Sequence, residues 1–228
     1  MRVNSVTSKK VITGVIYLLI ITVFSVTLFY KNVMASNISM PLSKKIILID
    51  AGHGGWDSGA ISGNTEEKNI NLEISKKLQS YLEQADATVF MTRIDDAKVA
   101  QSKKDDMYSR KLIAERSKAD VFISIHQNFM SISSIHGAQV FYYRGSENSK
   151  HLAECIQNEI KAFVINNNTF VPKENESYYV LRQTPMPAVI VECGYITNQI
   201  EKQQLLNPDY QERVAWAIYM GIVDYFSE

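Results

Sequence analysis

Three short polar motifs in this sequence carry side chains that could hold a metal ion or move a proton. His53 lies within Asp-Ala-Gly-His-Gly-Gly, His126 within Ser-Ile-His-Gln-Asn, and Glu192 within Val-Glu-Cys-Gly. Glycines allow tight turns and close approach of a ligand, so they present the His53 ring rather than pack it. One histidine alone would more often be a capping or core residue. A second histidine in a similar setting favours a metal site, because imidazole is a preferred ligand of zinc.

A third metal ligand is expected from one of two adjacent glutamates, Glu66 and Glu67. Zinc hydrolases often add a carboxylate to two histidines and leave the fourth position to water. Both glutamates open a predicted helix, and at 3.6 residues per turn Glu67 lies about 25° from the centre of its apolar face, against about 75° for Glu66. Glu67 should therefore point toward the sheet. The alternative is that both glutamates only favour the positive end of the helix dipole.

Glu192 follows the apolar run Ala188–Val191 directly. A carboxylate there would be costly if it were buried and unpaired. It should therefore either form a salt bridge or act as a general acid and base beside a metal. Strand alternation turns Cys193 to the opposite face, which excludes it as a ligand. With Cys155 it is interpreted as one of two buried thiols, since two cysteines are too few for a disulfide-built scaffold.

The motifs lie where apolar strands end in a pattern that alternates strands with helices. The predicted strands are Lys45–Asp50, Thr88–Thr92, Val121–Ile125, Gly137–Tyr143 (as an edge strand) and Ala188–Val191. The predicted helices are Glu67–Gln84, Met107–Lys118, Lys150–Phe163 and Asp209–Phe226. This alternation indicates an α/β fold with a mostly parallel twisted sheet flanked by helices on both faces. Ligands of such sheets bind at the carboxyl ends of the strands, so the three motifs should meet at one edge.

The N-terminal segment Val11–Tyr30 has 20 residues without a charge and is flanked by lysines. Twenty helical residues span about 30 Å, the thickness of the hydrocarbon core. The basic N-terminal side should stay in the cytoplasm and the domain should be exported. A cleaved signal peptide, with small residues near Ala35, is the alternative, although signal peptides have apolar regions of about 7–15 residues. The predicted domains are 1–36 (signal anchor or signal peptide), 37–44 (linker) and 45–228 (catalytic domain).

Charge is distributed unevenly along the chain. The first 36 residues hold four cations and no acid, while the whole chain has 24 basic and 24 acidic residues. The exported part is therefore mildly acidic. A nucleic-acid partner is not expected, because such binding needs a basic surface.

Taken together, the motifs resemble the zinc-dependent N-acetylmuramoyl-L-alanine amidases of amidase type 3 over about residues 45–226. The matching segments are Asp50–Gly55, Glu67–Lys68, Met91–Arg93, Arg110, Ala119–Asp120, Ser124–Asn128 and Val191–Tyr195. The resemblance implies that His53, Glu67 and His126 bind one Zn²⁺ per chain and that Glu192 is catalytic. Cys193 and Ala51 depart from the usual pattern of the family, but neither is one of the implied ligands.

The resemblance also implies a reaction, a substrate and a setting. Zinc-activated water, with Glu192 as general base, would hydrolyse the amide between the lactyl group of N-acetylmuramic acid and L-alanine in peptidoglycan. Asn128 and Arg182 would lie near the site without assigned roles. An N-terminal anchor with a bare catalytic domain resembles the CwlD-type amidases, which act in sporulation and help to form muramic-δ-lactam in the spore cortex.

The N-terminal segment and the resemblance together indicate the partners and the location of the protein. We expect the membrane and peptidoglycan as partners, with an activator protein as a further possibility. The location would be the outer face of the membrane, or the outside medium if the N-terminal segment is cleaved. The rival readings are a zinc carboxypeptidase acting on the same wall and an inactive wall-binding module.

Overall fold

The chain divides into two units, Met1–Ser39 and Met40–Glu228. A computed structural model describes residues 3–35, 40–165 and 167–227. The first unit contains helix α1 (Val3–Ala35), in which Lys10–Leu28 is long and apolar enough to cross a membrane. The predicted boundary at residue 36 and the linker residues 37–39 lie outside the described residues. Leu42, also within the predicted linker, is fully buried, so this part of the chain packs with the second unit.

The second unit alternates strands and helices along most of its length. Its elements are β1 (Ile46–Ala51), β2 (Ile61–Ser62), β3 (Thr65–Glu66), α2 (Glu67–Gln84), β4 (Thr88–Met91), α3 (Lys103–Ser117), β5 (Val121–Asn128), β6 (Gln139–Tyr143), α4 (Glu147–Phe163), β7 (Lys173–Asn175), α5 (Tyr179–Gln183), β8 (Ala188–Tyr195), α6 (Gln199–Leu205) and α7 (Pro208–Ser227).

The main sheet has the strand order β4-β1-β5-β8-β6-β7. Strands β4, β1, β5 and β8 run parallel, β6 is antiparallel to β8, and β7 is parallel to β6. The short strands β2 and β3 form a separate antiparallel pair. The prediction of a mostly parallel α/β sheet is confirmed.

Helices cover both faces of this sheet, which explains why its central strands are continuous apolar runs. Ile47 and Ile49 pack in the core formed with α2, α4 and α7. Leu48, between them, packs in a second core with residues of α3 and α5. Because side chains alternate along a strand, every second residue of β1, β5 and β8 faces the α3/α5 side.

The structure differs from the sequence prediction at elements with little apolar pattern. The predicted edge strand β6 is internal, because the polar segment β7 pairs with it. Helix α3 begins at Lys103 instead of Met107, since the Ser102 side chain accepts a hydrogen bond from the backbone N–H of Asp105 and caps a polar first turn. Helix α2 has the predicted bounds, Glu67–Gln84.

Candidate active site

The ends of β1, β5 and β8 meet at one edge of the sheet and border a cleft of about 490 Å³. His53, Glu67, His126 and Glu192, the four residues singled out from the sequence, all line this cleft. His126 and Glu192 lie opposite one another in the register of β5 and β8. The structure therefore brings together side chains that are up to 139 positions apart in the chain.

His53, Glu67 and His126 form a tight cluster. One ligand atom from each lies within 4.8 Å of the others. Glu67 Oε2 is 3.3 Å from His53 Nε2, and Glu67 Oε1 is 2.9 Å from His126 Nδ1. The two imidazole rings meet edge to face with centroids 4.9 Å apart. These distances allow the three side chains to share a single ion.

The Glu67 carboxylate is buried and held by several donors. It accepts hydrogen bonds from the backbone N–H of Ala60 at 2.8 Å and of Gln127 at 3.0 Å, and from Asn71 Nδ2 at 3.1 Å. Its side chain is 5% exposed, whereas that of Glu66 is 35% exposed. Glu67 thus points inward from the start of α2, as the helical phase predicted.

The loop after β1 presents His53 in a fixed orientation. Asp57 Oδ2 lies 2.9 Å from His53 Nδ1, which leaves Nε2 directed at Glu67. The backbone of His53 has a φ of +62°, an uncommon conformation for a residue with a side chain. At Gly52 an added Cβ would lie 2.3 Å from the His126 ring, so only glycine fits beside that ring.

A buried polar network lies beneath this loop. The Asp50 carboxylate accepts hydrogen bonds from Ser124 Oγ at 2.6 Å and Thr92 Oγ1 at 2.7 Å and pairs with the Arg110 guanidinium. Burial raises the pKa of Asp50, but Arg110 and the two hydroxyl groups outweigh it and lower that pKa to about 2. Arg110 also donates to the backbone oxygen of His53 at 2.8 Å, which connects the network to the candidate ligand.

A second buried arginine, Arg93, holds the same loop from another side. It donates to the backbone oxygens of Ala51 at 2.9 Å, Gly52 at 3.0 Å and Lys68 at 2.7 Å. Arg93 and Arg110 both belong to the segments that resemble the family, but the sequence assigns them no role. A charged residue that must be buried beside several carbonyl groups has no local sequence signature, so its function had to come from the structure.

Glu192 is buried at the bottom of the cleft. Among the described residues, its Oε2 atom has no hydrogen-bond partner. Burial raises the pKa of Glu192 to about 7, against the opposing effect of the nearby His126. Cys193 packs with Val191 in the core on the opposite face of β8, in agreement with the predicted alternation.

Two further residues expected near the site have different positions. Asn128 lines the cleft at the end of β5. Arg182 lies in α5 but is exposed and is not among the lining residues, and its guanidinium is 6.0 Å from the Tyr179 ring centroid. Because Tyr179 lines the cleft, the expectation that Arg182 lies near the site stays a prediction. Tyr178 and Tyr179 do line the cleft, as groove residues.

A comparison with protein families decides the identity of the domain. The family model of N-acetylmuramoyl-L-alanine amidase (Amidase_3) matches residues 47–224. The chain belongs to this family. The predicted family and enzyme class are thereby confirmed.

Named relatives of this amidase agree with the family match. It is 36% identical over 198 residues to the germination-specific N-acetylmuramoyl-L-alanine amidase of Bacillus subtilis, covering 83% of each chain. Among solved structures it is similar to the CwlD amidase of Clostridioides difficile in complex with the GerS lipoprotein, with a TM-score of 0.78 and 38% identity over 81% of this chain and 99% of that one. It also resembles the catalytic domain of CwlV, an amidase from Bacillus (Paenibacillus) polymyxa, with a TM-score of 0.68 and 35% identity over 80% of this chain and 98% of that chain.

The cluster in this amidase could hold a metal ion. Two imidazoles and one carboxylate are a usual set of three protein ligands for catalytic zinc, with the fourth position left open. The Asp57 contact to His53 is the kind of outer carboxylate that orients a ligating histidine. Glu192 Oε2 is buried and has no hydrogen-bond partner in the part of the chain that the structure describes, so it is a polar group available for a ligand at the same cleft. The donor set therefore fits the metal on which the family resemblance relies.

Proposed function

We propose that this amidase hydrolyses the amide bond between the lactyl group of N-acetylmuramic acid and L-alanine in peptidoglycan, with one Zn²⁺ per chain. His53, Glu67 and His126 would hold the ion, and Glu192 would act as the general base. The observation that carries the proposal is the His–Glu–His cluster beside a buried carboxylate at the bottom of one cleft.

Each of the side chains named below would have one role in the reaction. When bound, zinc activates water and polarises a carbonyl group. Glu192 accepts the proton of the attacking water and passes it to the amide nitrogen as the bond to L-alanine breaks. Asp57 keeps His53 in the orientation needed for binding, and the backbone donors to Glu67 do the same for the carboxylate ligand.

The setting that we propose is the spore cortex, where the reaction would provide the peptide-free muramic acid from which muramic-δ-lactam forms. The named similarity to a germination-specific amidase supports this proposal. Helix α1 would anchor the enzyme at the outer face of the membrane, or the domain would be secreted if that segment is removed. A lipoprotein partner accompanies the similar CwlD amidase, which supports the proposal of an activator protein for this chain.

Digestion of purified peptidoglycan tests the reaction. The full chain in detergent would be incubated with peptidoglycan, with and without a chelator, and the products analysed by mass spectrometry. We expect new L-alanine amino termini and peptide-free glycan, lost with the chelator and restored by added zinc. Release of a C-terminal residue from the stem peptide would instead indicate a carboxypeptidase. Binding without any product would indicate a wall-binding module, and either result would reject the proposed reaction.

A further inference from the structure

A second cavity lies beside the reaction cleft at the start of helix α3. This second cavity has a volume of about 620 Å³. Lys103, Met107 and Tyr179 line both the cleft and the second cavity, which is also lined by Lys104, Asp105 and Tyr108. The two spaces therefore adjoin at these three side chains, and we call the second one the α3 groove. A substrate that extends beyond the scissile bond could therefore contact the second cavity as well.

The α3 groove is lined by two lysines and one carboxylate, that of Asp105, so its lining carries a net positive charge. Lys103 and Lys104 are exposed, and neither forms an ion pair with another described residue. Three acidic residues lie near them, of which Asp57 interacts electrostatically with Lys103. Asp105 accepts a hydrogen bond from Ser102 Oγ at 2.7 Å, and Asp106 pairs with Arg110. Two ammonium groups are thus available to an anionic ligand.

The walls between these lysines and the cleft are apolar and aromatic. Met107 and Tyr179 form the shared wall, and Tyr108 is exposed beside them. Such walls can contact the aliphatic parts of a peptide while the lysines reach its charged groups. A groove with this combination suits an extended chain that carries carboxylates.

The two parts of the proposed substrate that flank the scissile amide, the glycan and the stem peptide, differ in charge. The lactyl carboxyl of the muramic acid is consumed in the scissile amide, so the glycan beside this bond is uncharged. The stem peptide, on the other side, carries free carboxylates on its acidic residues. We propose that the α3 groove binds the stem peptide, with Lys103 and Lys104 pairing with its carboxylates. This inference rests on the proposed function and adds the direction in which the substrate lies.

The test compares two forms of the same substrate. Soluble peptidoglycan strands would be used as they are, or after their stem-peptide carboxylates have been converted to amides with carbodiimide and ammonia. For native strands, Lys103→Ala and Lys104→Ala in the full chain should each raise KM roughly three- to fivefold, the effect of one charge-assisted contact at an exposed site. For amidated strands the same variants should cleave with KM close to that of the unsubstituted chain.

Two further variants separate charge from structure. Lys103→Arg keeps the charge and should keep most of the affinity for native strands. Lys76→Ala removes an exposed lysine of α2, where it pairs with Glu73 outside both cavities, and should leave both KM values unchanged. If the two alanine variants raise KM equally for native and amidated strands, or for neither, the α3 groove does not bind carboxylates. Failure of the unsubstituted chain to cleave native strands would reject the proposed function instead.

Discussion

Glu192 is the residue on which the chemistry of the cleft depends most directly. Its carboxylate is buried, and among the described residues its Oε2 atom lacks a hydrogen-bond partner. Glu192→Gln keeps the shape of the side chain but cannot accept a proton. We expect this variant to lose about 10²- to 10⁴-fold in the rate of amide cleavage, the usual contribution of general acid–base catalysis. Its zinc content should remain one per chain, because the three proposed ligands are untouched.

Glu66→Gln is the matched control for this prediction. Glu66 lies at the start of α2 beside the proposed ligand, but its side chain contacts Ser58 and Lys68 rather than the cleft. It should retain both zinc and activity. Near-normal cleavage by Glu192→Gln, measured as product by mass spectrometry, would show that another group moves the proton.

Asp57 should act on metal binding through its contact with His53. The 2.9 Å contact to Nδ1 leaves Nε2 for the metal and makes the ring a better ligand. Asp57→Asn removes the negative charge and should weaken zinc affinity by about 10- to 100-fold, as is typical for such outer partners. Competition with a zinc-binding dye measures this effect. Asp86→Asn, an identical change at a surface carboxylate distant in sequence, should leave the affinity unchanged, and equal affinities in all three proteins would contradict the role of Asp57.

The candidate metal ligands could be predicted from the sequence because the geometry of strands and helices restricts where they lie. Polar residues at strand ends must converge at one sheet edge, and helical phase separates Glu67 from Glu66. The supporting residues Asp57, Asn71 and Gln127 could not be recognised in this way. Their contacts depend on the conformation of loops and on packing between distant elements, which local periodicity does not encode.

At the scale of elements, the Asp50 network joins β1, β5 and α3 beneath the site. Asp50→Asn removes the more buried of the two carboxylates that pair with the Arg110 guanidinium, and only Asp106 then remains as a counter-charge. Breaking a buried pair in this way costs about 3–5 kcal/mol. Guanidinium unfolding of the full chain in detergent, followed by tryptophan fluorescence, should show a loss of this size at pH 7. For Asp86→Asn the change should stay within about 0.5 kcal/mol, as for other surface substitutions.

The same network predicts a dependence on pH. The pKa of Asp50 is lowered in the folded state to about 2 from an ordinary value of 3.8. A lowered pKa means that the charged form stabilises the fold above about pH 4 and that this contribution is lost as the pH falls through about 2. The stability difference between the unsubstituted chain and Asp50→Asn should therefore be constant from pH 7 to about 4 and shrink by about 2 kcal/mol by pH 2. A difference that does not change with pH would mean that Asp50 is not the titrating group.

Most elements could be predicted because burial on two faces produces a distinctive pattern. Central strands such as β1 and β8 are nearly continuous apolar runs, and α2 shows one apolar face. The segments that were missed are all short: β7, the β2–β3 pair, α5 and α6. They are too short to show a periodic pattern, and their conformation depends on tertiary contacts.

At the scale of the whole molecule, the two units have different compositions and different tasks. The N-terminal unit has four cations and no acid in its first 36 residues, whereas the family match begins at residue 47. The catalytic unit carries the complete proposed site within its own fold. We therefore expect the N-terminal unit to determine where the reaction happens rather than how it happens.

The length of the apolar segment favours a retained anchor over a cleaved signal peptide. The 19 residues Lys10–Leu28 can cross a bilayer, and signal peptides have apolar regions of only about 7–15 residues. After expression in a bacterial host, the full-length chain should remain in the membrane pellet through an alkaline wash, and protease added outside should digest its catalytic unit. Leu19→Arg places a charge near the centre of the segment, which costs about 2.5–3.5 kcal/mol for insertion, and should reduce the membrane fraction. A released protein whose first residue lies just after Ala35 would show instead that the segment is removed and that the amidase acts without an anchor.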